Sequence, residues 1–141
     1  MKRWEVLMLI ALVAVVAGFL RPGPSNLVKL GDFALGTPRP EIEQSLAGQN
    51  WFGYDDRILC EQTLLFANGH LCAVIGTELE VGDYTLEAGE YIGEVERILG
   101  SPRAQKRDHE GLLVSYAEAD VWFADGKHAT EFRIGNWAHW P

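Results

Sequence analysis

Two kinds of apolar pattern divide the chain. Residues Val6 to Leu20 form an unbroken apolar run without a polar face, preceded by Lys2 and Arg3 and closed by Arg21, Pro22, Gly23 and Pro24. That closing stretch cannot continue a helix. At roughly 15 residues the run matches a signal-peptide core and falls short of the ~20 residues that span a bilayer comfortably, although Trp4 extends it toward the interface. Val15 and Ala17 offer a small-residue cleavage site before Gly18, so residues 1–21 read as a signal peptide or a retained signal anchor, with 22–29 as linker. Either way the positive flank stays inside and the remainder is exported: anchored facing outside the cytoplasm, or secreted or periplasmic after cleavage. No Cys follows the run, which excludes a lipoprotein anchor.

Beyond residue 30 the pattern becomes short amphipathic segments, and it occurs twice. Gly31-Asp32-Phe33-Ala34-Leu35 returns as Gly82-Asp83-Tyr84-Thr85-Leu86, and Glu41-Ile42-Glu43 as Glu94-Val95-Glu96. Phe66-Ala67-Asn68-Gly69 returns as Phe123-Ala124-Asp125-Gly126, and Ile75-Gly76 as Ile134-Gly135. Four matches in one order predict two tandem units, 30–79 and 80–141, the second with an aromatic C-terminal tail.

In the first unit Thr37 is positioned to cap a short helix with Pro38 at its first position and Gly48 ending it; Ile42, Ser45 and Leu46 share a face. In the second, Ile92, Val95, Ile98 and Leu99 have helical spacing between Gly89 and Gly100, and Pro102 stops it. Asn68-Gly69 and Asp125-Gly126 predict two-residue hairpin turns, which put Phe66 opposite Leu71 and Phe123 opposite His128. Alternation then places Leu64, Phe66, Leu71, Ala73 and Ile75, with Val121, Phe123, Phe132 and Ile134, on the face that meets the helix. The opposite face carries Leu65, Cys72 and Val74, with Trp122, Ala129, Glu131 and Arg133. Third strands are expected near Arg57–Cys60 and Leu112–Tyr116. The expected class is α+β: two repeats, each a short helix on a small antiparallel meander, after an N-terminal hydrophobic helix.

The motif Glu41-Ile42-x-x-x-Leu46 after Gly36-Thr37, and Gly89 with Glu94-Val95-x-x-x-Leu99-Gly100-x-Pro102, each followed by Phe-x-[Asn/Asp]-Gly, resembles that of the BLIP-like and SmpA/OmlA (BamE-like) group. The resemblance implies helices packed on one face of a small antiparallel sheet, in two tandem copies, and a role in binding other proteins. It supplies no individual binding residue.

Charge narrows the partners. Setting aside Lys2, Arg3, Glu5 and Arg21 leaves 9 basic and 19 acidic residues, a formal charge of −10, which repels nucleic acid and anionic headgroups. The acidic series Glu78, Glu80, Asp83, Glu87, Glu90, Glu94 and Glu96 lacks calcium-loop spacing and reads as a solvated face. The basic cluster Arg103, Lys106 and Arg107 reads as a solvated loop after a helix end.

Catalytic and metal chemistry have no pattern to stand on. His70, His109, His128 and His139 are scattered without ligand spacing, and no serine sits in G-x-S-x-G, so no enzyme, cofactor or metal is predicted. The two cysteines after the leader, Cys60 and Cys72, are a candidate disulfide, which export favours. The expected register sets their Cα atoms roughly 12 Å apart, beyond the ~7 Å a disulfide allows, unless a bulge intervenes.

Aromatics carry the remaining signal. Trp122 on the helix-free face, with Leu65 and Arg133, and Trp137 and Trp140 beyond it, form a candidate protein-binding surface. The bland alternative has Trp137 and Trp140 folding back over the sheet as a plug. The sequence therefore predicts an exported or membrane-anchored, non-catalytic interaction module of the cell envelope with an envelope or secreted protein as partner. The alternatives are an inhibitor of a secreted hydrolase, and last a small ligand-binding protein or enzyme.

Overall fold

The computed structural model describes residues 28–136. The expectations for residues 1–27 and for Trp137, His139 and Trp140 lie outside them. The described chain runs β1 (Val28–Lys29), α1 (Arg39–Ser45), β2 (Phe52–Gly53), β3 (Arg57–Leu59), β4 (Thr63–Ala67), β5 (His70–Gly76), β6 (Glu78–Val81) and β7 (Tyr84–Glu87). It continues with α2 (Ile92–Leu99), β8 (Ala104–Asp108), β9 (Gly111–Ser115), β10 (Asp120–Phe123) and β11 (Glu131–Gly135). Among the described residues no helix is long and apolar enough to cross a membrane.

The expected α+β class does not hold: the described residues are mostly β, with two short helices among them. Instead of two small meanders, one antiparallel sheet of eight strands runs β2-β3-β4-β5-β11-β10-β9-β8. The reason is the seam. β5 pairs with β11 over Phe132↔Gly76 to Gly135↔Ala73, so each four-stranded run satisfies its open edge with the other and neither stands alone. A second sheet, β1-β6-β7, joins the start of the described chain to the two strands that follow β5, and the expected unit boundary at 79/80 falls inside β6. Leu79 and Leu86 from this small sheet, Leu30 just after β1, Ile42 and Val95 from the helices, and Ile58, Leu64, Val74, Val121, Phe123 and Phe132 from the large sheet form one core cluster. Helices and small sheet therefore share one face of the large sheet, and the other face carries neither.

Several local expectations fail for identifiable reasons. Thr37 does not cap α1; its Oγ1 donates to the Ala34 carbonyl at 2.6 Å, and Pro38 takes the cap position in extended conformation. The Asn68-Gly69 turn is the two-residue hairpin expected, with φ of 53° and 77° and Ala67 paired to His70. Asp125-Gly126 is not: the last strand pair is Trp122↔Glu131, and the intervening loop leaves the sheet to bond elsewhere. The Ala129 N–H donates to Glu90 O (2.8 Å), and the Gly89 and Ile92 N–H groups donate to Ala129 and Lys127 (2.7 Å each), which ties the loop to the entry of α2. Ala129 is thereby buried in the core rather than placed on the opposite face. The pairing of β10 with β11 is displaced by two residues from the expected one, so alternation survives, and Val121, Phe123 and Phe132 still face the core.

In β5 the alternation does not survive. Leu65 pairs with Ala73 but Phe66 with Leu71, so Cys72 is the extra residue of a β-bulge. Val74 moves onto the core face, fully buried, while Ala73 and Ile75 turn to the helix-free side, against the expected order. Finally, the basic segment expected as a loop is the edge strand β8. Its five residues are all exposed, so no apolar pattern announces it.

Candidate functional site: the helix-free sheet face

Strand registers build this face row by row. One row runs Arg57, Leu65, Ala73, Gly135 across β3, β4, β5 and β11. The next starts at Phe52 and Leu59 and passes through Thr63, Ile75, Arg133 and Asp120 to Ser115. A third runs Glu131, Trp122, Leu113, Lys106.

At its centre lies an ordered aromatic and charged group. The Arg133 guanidinium stands over the Trp122 ring, 5.9 Å from its centroid, and Arg133 Nε and Nη2 both lie 2.7 Å from Glu131 Oε2. All three side chains are half-buried. A guanidinium fixed at once by a carboxylate and an indole face holds that indole in one orientation, which is how an amphipathic anchor is kept ready for contact at low entropic cost. Leu65, by contrast, is 1% exposed and offers no surface of its own; with Ala73 it forms a buried apolar patch separate from the main core.

The same face ends in an apolar rim at the β2 edge. Phe52 is 72% exposed and sits opposite Leu59, and the exposed Tyr54 ring lies 5.8 Å from the Arg57 guanidinium. The rim residues were visible in sequence as part of Trp51-Phe52-x-Tyr54, but nothing there placed them on this face. A shallow open groove of ≈ 170 Å³ lies beside Tyr116, Glu118, Asp120, Arg133 and Gly135. It is well below the ~300 Å³ at which pockets for small molecules begin. Burial pushes the Tyr116 hydroxyl up to about 12, with the Glu96 charge adding to it.

The remaining candidates do not converge. Cys60 and Cys72 are free thiols; Cys60 Sγ lies 3.3 Å from the Gln62 carbonyl, and burial raises the Cys72 thiol. His70 Nδ1 contacts its own turn at the Asn68 carbonyl, and His128 pairs with Asp125 at 2.7 Å. Among the described residues no three or more His, Cys, Asp or Glu side chains gather as a metal site. Asp125 accepts from the backbone N–H of His128 (2.7 Å) and Lys127 (2.8 Å); these bonds and the His128 ring hold its carboxyl well below the usual range. That makes it a loop anchor.

No protein-family model matches the chain, and neither a curated protein nor a solved structure does. The resemblance to the BLIP-like and BamE-like group therefore has no counterpart among these comparisons.

Proposed function

We propose that the chain is an exported or membrane-anchored, non-catalytic interaction module of the cell envelope, which receives an envelope or secreted protein on the helix-free face of its large sheet. The observation that carries this reading is the Trp122-Arg133-Glu131 group, a pre-oriented aromatic anchor in the middle of a broad sheet face that neither helix covers. Trp and Arg are the residue types that dominate binding hot spots, and the exposed Phe52 and Leu59 extend the apolar contact to the rim. The motif resemblance points the same way, since known members of that group mostly bind other proteins. The apolar N-terminal run, with its positive flank, supports export.

The test is crosslinking in intact cells from a photoreactive residue at Leu113, beside Trp122 on the face. The wild-type chain should give a discrete adduct with an envelope or secreted protein, and Trp122→Ala should remove it while leaving the circular dichroism spectrum unchanged. An adduct that persists in Trp122→Ala would take the face out of consideration. The absence of any adduct from the wild type would sink the module itself.

A further inference from the structure

We infer that the outer edge of β8 is a docking strand for an acidic, extended polypeptide segment, which adds to the large sheet as a ninth strand. The inference rests on the reading of the chain as a protein-interaction module and names one surface of it and the chemistry of what binds there.

Three observations meet at this edge. First, β8 is the terminal strand of the large sheet, five residues long and exposed throughout, so the backbone groups on its outer side have no strand partner among the described residues. Such a row of N–H and C=O groups is a template for a further strand. The opposite terminal strand, β2, has only two residues and offers no comparable template.

Second, the edge is cationic in a protein that is otherwise strongly acidic. Each arginine elsewhere among the described residues is paired with a carboxylate of its own: Arg39 with Glu43, Arg57 with Asp56, Arg97 with Glu94 and Arg133 with Glu131. Arg103, Lys106 and Arg107 make no ion pair among them. The one carboxylate in the strand, Asp108, is turned into the β8–β9 connection, where it accepts from the N–H groups of Glu110 (2.7 Å) and Gly111 (3.2 Å). Lys29 and Lys127 also make no ion pair among the described residues, but they stand singly; at Arg103, Lys106 and Arg107 the unpaired cations are clustered, and a cluster of one sign is what an oppositely charged partner answers.

Third, the register connects this edge to the face already described. Lys106 ends the row Glu131, Trp122, Leu113, Lys106, whereas Arg107 points to the other side and reaches Gly126. An added strand with acidic residues at alternate positions would answer Lys106 and continue that row outward.

The chemistry also excludes competitors. A second copy pairing antiparallel through β8 would set cation against cation, which disfavours a dimer here. Nucleic acid and anionic membrane can meet the charge, but neither supplies the backbone N–H and C=O groups that would pair with the open strand edge.

The experiment uses the full-length protein in detergent and a labelled peptide, Thr-Glu-Val-Glu-Val-Glu-Thr, with Lys replacing Glu in the control. Anisotropy should show salt-sensitive binding of the acidic peptide only, and amide exchange of Ala104–Asp108 should slow in the complex. Lys106→Glu with Arg107→Glu should weaken binding about tenfold or more, as for charges that steer association. Since both side chains are exposed, the fold should be unaffected, and Lys106→Gln with Arg107→Gln should fall between. Unchanged β8 exchange overturns the inference, as does binding indifferent to the charge reversal, a β8-dependent dimer in sedimentation, or binding of phosphatidylglycerol vesicles in place of the peptide. In the intact-cell crosslink, an adduct kept by the charge-reversed chain but lost in Trp122→Ala would sink the β8 edge and leave the module standing.

Discussion

Asp125 shows how much one side chain can organise. Its carboxylate gathers two backbone N–H groups and the His128 ring at the turn that ties the β10–β11 loop to α2. The folded carboxyl titrates below the ordinary value of 3.8, so the folded state prefers the anion. The sign follows: the stabilisation is complete above the unfolded-state pKa and is lost as pH falls through it toward the folded one. Asp125→Asn should melt below the wild type at pH 7, and the gap should narrow from about pH 4 downward as the carboxyl of the unfolded wild-type chain takes up its proton. Thermal melts of both proteins across that range decide it; a gap that stays constant would mean that shape, not charge, holds the loop.

The elements show what the sequence could and could not announce. Alternation in Val121, Phe123 and Phe132 reads correctly because a displacement of two residues leaves side chains on their face. The order of Ala73, Val74 and Ile75 misreads because one inserted residue, Cys72, inverts everything after it, and no local composition marks a bulge there. The helix at Ile92–Leu99 was legible from its apolar spacing, and the strand at Ala104–Asp108 was not, since an exposed edge needs no apolar residue. Trp122 and Arg133 could be assigned to the helix-free side, but their stacking depends on a pairing between strands 122 and 133 sit on, which no short pattern fixes. The bulge also sets a demand on β11. Gly135, at φ 88°, has the Cys72 carbonyl and the Ala73 backbone where a side chain would begin, and the Asn136 N–H donates to the same Cys72 oxygen at 2.8 Å. A methyl group at 135 would collide with backbone, which cannot swing aside, and would occupy a φ that only glycine adopts freely. Gly135→Ala should therefore cost about 1–3 kcal/mol in urea unfolding, the range for a strained backbone position. A neutral outcome would show that the end of β11 peels away without loss.

For the whole molecule the question is whether two like halves behave as one body. β2–β5 and β8–β11 enter the large sheet in mirrored order and meet only at β5 and β11, yet the core residues of both belong to one cluster, closed over by the helices and the small sheet. The small sheet strengthens the tie, because β6 and β7 connect the halves in sequence while Leu79 and Leu86 are buried in the common core. A core that is shared in this way has no internal surface along which one half could open without exposing the other. Leu64, 1% exposed on β4, tests the point from the first half. Leu64→Ala should destabilise by about 2–5 kcal/mol, as buried leucine truncations do. If the halves unfold together, the slowest amides of β10 and β11 should lose as much protection in hydrogen exchange as those of β4. Loss confined to β3–β5 would show that the seam is a joint between two bodies. A partner lying across the helix-free face would then bind a hinged surface instead of a rigid one, and would pay to align its two halves before Trp122 and the β8 edge could act together.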